Sequence, residues 1–148
     1  MAPILTFNGI HSFLSNFFCA EMVWDGIVWP SSEHAYQAAK TESREIRLKF
    51  SRMQSPVTVK RAGKTVPLRE DWDAVKYDIM LEIVRAKFTQ NPELRTKLFE
   101  TGDAHLEEGN TWHDRTWGVC PPGSSNGLNY LGKILMTVRD ELRAEVAK

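Results

Sequence analysis

Within two helical turns the sequence places a carboxylate, a phenol, an amide and an amine, in Ser31-Ser32-Glu33-His34-Ala35-Tyr36-Gln37-Ala38-Ala39-Lys40. At 100° per residue Glu33, Tyr36, Gln37 and Lys40 share one face of a helix, and Ala35, Ala38 and Ala39 share the opposite one. The alanines let such a helix pack close to a neighbour. Glu33 and Lys40 stand roughly 10 Å apart along the axis. Helical side chains lean toward the N-terminus, so Lys40 can reach back over Gln37 toward Glu33. A substrate over the middle of the face would meet an acid–base group and a nucleophilic amine. The plain alternative is a solvated face carrying an ordinary Glu and Lys.

A second cluster, Trp112-His113-Asp114-Arg115-Thr116-Trp117-Gly118, sets an acid between two indoles. That suits a carboxylate in an aromatic pocket able to stack on a base or sugar. It equally suits an Asp that caps a turn while the indoles cover the core. In the third, Asn126-Gly127-Leu128-Asn129-Tyr130, Asn126 or Asn129 can cap a closing helix whose free N–H groups would suit a phosphate or ribosyl ligand. Arg61-Ala62-Gly63-Lys64 adds a basic loop without P-loop spacing. His11, His34, His105 and His113 lack metal-ligand spacing with each other or with Cys19 and Cys120, so no metal is expected. Nucleophile-elbow and dinucleotide-binding glycine motifs are missing.

The elements that must position these groups follow from periodicity. Ile4 to Phe7 reads as a short strand. Glu21 to Trp24 and Ile27 to Trp29 flank Asp25-Gly26, a strong hairpin signal, and Pro30 ends the second strand. Ser31 or Ser32 caps a helix running to about Lys40. Further helices are expected over 43–52, over 57–62 ending at Gly63, from Trp72 to about Gln90, and from Pro92 to about Glu100. The stretch 101–125 is a long loop whose strand candidate is Ala104 to Glu107, and loops of that length are usually functional. Leu128, Leu131, Leu135, Val138, Leu142 and Val146 mark a last amphipathic helix. The expected fold is helix-rich α+β, one domain over 1–148, with a small antiparallel β element near the N-terminus.

Composition narrows the function classes. The 148 residues, 42 % hydrophobic and 26 % charged, suit one globular domain. Nineteen basic and nineteen acidic residues cancel, which gives no general pull toward nucleic acid or an anionic membrane. Apolar runs are too short to span a bilayer. The N-terminus carries no basic region followed by an apolar stretch, so a cytoplasmic location with free thiols is expected.

Taken together, the blocks resemble the NADAR (YbiA-like) family from about Phe13 to Leu142. The matching stretches are Phe13-Leu14-Ser15-Asn16-Phe17, Trp29-Pro30-Ser31-Ser32-Glu33-His34, Gln37-Ala38-Ala39-Lys40, Arg61-Ala62-Gly63, Pro67-Leu68-Arg69 with Trp72, Met80, Ala86-Lys87-Phe88, Leu106-Glu107-Glu108, Asp114, Trp117-Gly118 and Asn129-Tyr130-Leu131-Gly132. Each is weak alone, and their joint order is specific. The resemblance implies an N-glycosidase without a cofactor. Its substrate would be either a phosphoribosylamine intermediate of early riboflavin synthesis or ADP-ribosylated guanine, with nucleic acid a partner only when so modified. Both substrates join ribose C1 to an exocyclic amino nitrogen. Oligomeric state is left open.

On this reading Lys40 is a Schiff-base nucleophile and Glu33 moves protons. A free lysine is neutral only about 0.04 % of the time at pH 7, so the site must lower its pKa, by burial or by a cation such as Arg61 or Arg115. Asp114 orients a hydroxyl or water. Phe13, Ser15, Asn16, Tyr36, Gln37, Arg61, Gly63, Trp72, Arg115, Trp117, Gly118 and Asn129 are the expected substrate-binding positions. Direct attack by water, activated by Glu33 or Asp114, is the competing route. A non-catalytic binder of ADP-ribose or NAD is the other functional class. The stretch Val119 to Ser125 departs from the glycine-rich pattern of the family, which leaves the exact substrate open.

Overall fold

The computed structural model describes residues 1–148, which form two compact units: 16–91, and 1–15 together with 92–148. In the first unit, β1 (Cys19–Trp24) and β2 (Ile27–Ser31) pair antiparallel, with Met22 opposite Trp29 and Trp24 opposite Ile27. Asp25 and Gly26 both take positive φ, 56° and 69°, as the tight turn between twisted strands requires. The second strand runs on through Pro30 to Ser31, beyond the predicted stop. Proline has no N–H to give the ladder, and the register of the partner strand shifts between Cys19 and Met22. On the free edge of β1, the Gln90 side chain accepts from Val23 N at 2.7 Å and donates to Val23 O at 2.9 Å.

Three short helices follow: α1 (Ser32–Ala39), α2 (Arg44–Ser51) and α3 (Pro56–Gly63), then the long α4 (Trp72–Gln90). Ser31, Ser43 and Ser55 each accept a backbone N–H three residues on, the N-cap arrangement that contributes about 1 kcal/mol per helix. The first helix packs against the other three, and every one of its residues is buried. The predicted alanine face explains how: Ala35, Ala38 and Ala39 are fully covered, so neighbouring backbones can approach. The alternative of a solvated face does not hold, since Glu33, Tyr36 and Gln37 are buried and Lys40 is half-buried. Ile79, Met80, Ile83, Val84 and Phe88 supply the apolar stripe of α4.

In the second unit, α5 (Pro92–Glu100) packs on α6 (Tyr130–Val146) around Leu94, Leu98, Leu131, Ile134, Leu135 and Val138. The predicted strands at Ile4 to Phe7 and Ala104 to Glu107 shrink to one parallel bridge, Ile4 with Leu106. Ile4 N donates to His105 O and Glu107 N to Ile4 O, both at 2.8 Å. Gly109 N adds one more bond, to Leu5 O at 3.1 Å, and a second parallel bridge joins Gly109 to Val119. The fold is helix-rich α+β with a two-stranded antiparallel sheet. No helix is long and apolar enough to cross a membrane.

Candidate active site

The start of α1 is fixed from both sides. Asn16 O accepts from Glu33 N at 3.0 Å, and Asn16 Oδ1 accepts from the Ser32 hydroxyl at 2.9 Å. Asn16 Nδ2 points to the Met80 sulfur at 3.4 Å. The amide thereby ties the start of α1 to α4. His34 is equally committed: Nε2 donates to Met53 O at 2.9 Å, which leaves Nδ1 to accept from the Ser31 hydroxyl at 2.7 Å. Burial pushes its pKa down, against the backbone hydrogen bond, so the ring is a neutral anchor between α1 and the end of α2.

One turn on, Gln37 Nε2 donates to Glu33 Oε1 at 2.7 Å. Both side chains are nearly covered, with Glu33 6 % and Gln37 4 % exposed. Gly63, at the end of α3, lies directly against the Gln37 amide. Tyr36 packs on Trp72 with ring centroids 5.3 Å apart. Lys40, the residue that closes α1, leans back as helical geometry requires and holds Nζ 5.7 Å from the Tyr36 ring centroid. Its carbonyl accepts from Arg69 N at 2.8 Å. This unit thus gathers Glu33, Tyr36, Gln37, Lys40, Gly63 and Trp72 around one helix.

Burial lowers the Lys40 pKa from the ordinary lysine value; the Glu33 carboxylate opposes that shift, and Lys60 and Lys64 reinforce it. The cations bearing on Lys40 are therefore these lysines of α3 and its cap. Arg61 and Arg115, the cations named from the sequence, are not among the groups that shift it. The reason is helical phase: with Val59 and Gly63 turned inward, Arg61 falls on the outer side of α3. A half-buried amine with a depressed pKa, a carboxylate and an aromatic wall form a combination suited to carbonyl or imine chemistry.

The other unit holds Phe13, Ser15, Asp114, Arg115, Trp117, Gly118 and Asn129. Asp114 Oδ1 accepts from Thr116 N at 3.1 Å and Trp117 N at 2.9 Å, so the carboxylate shapes its own turn. Asn110 grips the same turn, donating to Asp114 O at 2.8 Å and accepting from Asp114 N at 3.1 Å. Trp117 meets Tyr130 edge-on at 6.0 Å. Phe13 is buried, with Lys97 Nζ 5.9 Å from its ring centroid, and Ser15 N bonds Ser12 O.

The N-terminus of α6 is not open to an anion. Tyr130 N donates to Thr116 O and Leu131 N to Trp117 O, while Leu128 N and Asn129 N bond Arg115 O and Gly118 O. Backbone groups at a covered helix end must find partners, and here the Asp114 turn supplies them. Asn129 stands at the N-cap position of α6 with φ 52°, but its side chain makes no cap bond; the amide bridges Leu106 O at 2.9 Å and Glu108 N at 3.0 Å instead. No group of three or more His, Cys, Asp or Glu side chains is placed to hold a metal ion.

The family model described as the NADAR domain matches residues 6–143. The chain belongs to the NADAR family. It is 40 % identical over 133 residues to the N-glycosidase YbiA of Escherichia coli strain K12, covering 88 % of this chain and 81 % of that protein. A riboflavin biosynthesis protein of Vibrio vulnificus strain YJ016 is 38 % identical over 135 residues, which span 90 % of this chain and 36 % of the relative. The NMR structure of E. coli YbiA superposes with a TM-score of 0.87 at 36 % identity, covering all of this chain and 90 % of that one.

In this NADAR chain several working residues carry no legible sign in the sequence. Lys60 precedes the basic stretch 61–64 and carries no motif of its own. Asn110 lies in a long loop and is almost fully buried. Lys87 is 1 % exposed, with Nζ 5.2 Å from the Phe88 ring and 5.8 Å from that of Phe18, and burial pulls its pKa down to about 7. The Ala86-Lys87-Phe88 block pointed to the position, but not to a lysine in the core.

Proposed function

We propose that this NADAR protein is an N-glycosidase that hydrolyses the bond between ribose C1 and an exocyclic amino nitrogen, acting on phosphoribosylamine intermediates of early riboflavin synthesis. The names of its relatives, N-glycosidase and riboflavin biosynthesis protein, support that reaction class. The observation that carries it is the pairing of a buried Glu33 with a Lys40 whose pKa is depressed. ADP-ribosylated guanine presents the same bond and is the second substrate to assay.

The chemistry follows from those two groups. Ring opening of the glycosylamine leaves a C1 imine. The neutral Lys40 amine adds to C1, the leaving nitrogen takes a proton relayed by Glu33, and its departure as the free amine leaves C1 doubly bonded to Nζ. Water then adds to that imine, Lys40 leaves as the amine, and the sugar is released as its aldehyde. We assign the indole of Trp72 to the base. We further take 1–148 as one functional domain, in line with a family match running from 6 to 143, working in the cytoplasm on a small molecule.

The test is release of ribose 5-phosphate from a riboflavin-pathway ribosylamine, and of ADP-ribose from ADP-ribosylated guanosine. Glu33→Gln and Lys40→Ala serve as controls. Borohydride added during turnover should leave a reduced sugar adduct on Lys40, found by peptide mass spectrometry. Turnover without an adduct assigns the reaction to direct water attack. Tight binding of ADP-ribose without turnover of either substrate makes the protein a binding module.

A further inference from the structure

We infer that Gln37 is a positioning residue, one that holds the Glu33 carboxylate in register and makes no contact with substrate, and that Gly63 keeps it in place. The inference rests on the reading of Glu33 as the proton carrier. Gln37 spends its amide unevenly. Nε2 donates to Glu33 Oε1 at 2.7 Å, while Oε1 of the same amide is buried without a hydrogen-bond partner. A buried acceptor left unmatched is unfavourable, so something must hold the amide this way round.

Two features do so. Turning the amide over would set its oxygen against the Glu33 carboxylate in place of a charge-assisted N–H bond, exchanging attraction for repulsion. On the other side lies the bare Cα of Gly63. A Cβ there would stand 1.9 Å from Gln37 Oε1, 2.8 Å from its Cδ and 3.2 Å from its Cβ. Gly63 is helical, so the glycine is required for space and not for backbone conformation. The amide oxygen is thus sealed against α3 by the one residue type that can approach it.

That seal decides between two roles for Gln37. A substrate-binding amide offers its oxygen or its N–H groups to the cleft. Here the oxygen is closed off and an N–H is committed to Glu33. Because the two residues are one helical turn apart on a fixed helix, this bond sets the rotation of the carboxylate and occupies one of its two oxygens. Displacing Gln37 therefore changes where Glu33 delivers its proton, and misplacement on that scale costs about 10² in rate.

The experiment uses the full chain and the phosphoribosylamine substrate. Gln37→Met removes the donor at similar length. It should lower kcat by about tenfold to a hundredfold with KM within about twofold, and cause no further loss in a Glu33→Gln background. A raised KM at unchanged kcat, or an equal loss in the Glu33→Gln background, overturns the inference. A second readout needs neither activity nor a Gln37 variant. In the 15N-labelled wild-type protein the Gln37 side-chain amide protons should resonate downfield, exchange slowly and move when Glu33 becomes Gln. A solvent-like amide indifferent to Glu33→Gln also overturns it. Should the protein hydrolyse no ribosylamine, the resonances still decide whether Gln37 holds Glu33, so the failures of the two proposals are distinguishable.

Discussion

The Lys40 ammonium stands 5.7 Å from the centroid of the Tyr36 ring, and that ring leans on the indole of Trp72 at 5.3 Å. The amine is thereby placed between two tendencies. Contact with the aromatic face and the nearby Glu33 carboxylate favour the charged form, while burial and the lysines of α3 favour the neutral one. Burial is the largest of these influences, and the net shift is downward.

A pH dependence follows. Since neutral Lys40 is the proposed nucleophile, kcat/KM should rise with pH and level off below the ordinary lysine value of 10.5. Removing like charge raises the Lys40 pKa, so Lys60→Gln and Lys64→Gln should each move that limb to higher pH and slow turnover at neutral pH. The check is the pH–rate profile, beside the pH dependence of acylation at Lys40 read by mass spectrometry. A limb unmoved in both variants contradicts the coupling.

Stability should also vary with pH, in two separate windows. Lys87 has a folded pKa of about 7 against 10.5 unfolded. Between those values the unfolded chain binds more protons, so stability rises with pH across the window and the penalty is full below it. The size is on the order of several kcal/mol. Lys87→Met should flatten the rise and raise Tm at pH 7. His34, whose folded pKa is lowered, acts below about 6.5, where protonation of the unfolded chain costs stability as pH falls. Calorimetric scans from pH 5 to 10 on the wild type and on Lys87→Met separate the windows.

Asn129 should prove a structural residue. Its amide satisfies Leu106 O and Glu108 N, and its backbone occupies the left-handed region at φ 52°. Asn129→Ala loses both bonds and adds backbone strain, for about 2–4 kcal/mol. Asn129→Gly relieves the strain but not the lost bonds, and should recover about 1 kcal/mol. Urea denaturation reads the difference. Stability like wild type combined with a raised KM would return Asn129 to the substrate.

Gly63→Ala and Gly118→Ala should part company. The Cβ at Gly63 meets the end of a flexible Gln37 side chain, whereas that at Gly118 meets the Glu108 backbone carbonyl at 2.1 Å as well as its carboxylate. Gly63→Ala should fold with a modest loss, about 1 kcal/mol, and impaired turnover. Gly118→Ala should lose about 3 kcal/mol, since backbone cannot move aside. Thermal unfolding beside kcat checks both.

Much of the scaffold was legible because its signals are local. Serine caps, the Asp25-Gly26 turn, Pro92 and the periodicity from Trp72 to Gln90 act within a few residues, and the elements appear where those residues put them. Grouping of Glu33, Gln37 and Lys40 was legible for the same reason. Whether that face met water was not, because burial of α1 depends on α2, α3 and α4 packing round it. The closed end of α6 was hidden likewise, its partners lying in and just after the turn of Asp114, eleven to fourteen residues upstream. Lys60 was missed, and Lys64 was noticed only as part of a basic loop, because electrostatic coupling follows distance in space.

The bidentate grip of Gln90 on Val23 has a consequence for the molecule in a crowded solution. A two-stranded ribbon offers an open template on each side, and Val23 and Val28 are both exposed apolar residues that would welcome another chain. By occupying the backbone groups of Val23, a side chain stands in for the missing strand, and Asn91 does the same at Glu21 O at 3.0 Å. The end of a helix thus serves as a guard against fibrous self-association, a task unconnected with catalysis and lost on replacing Gln90 with an aliphatic residue.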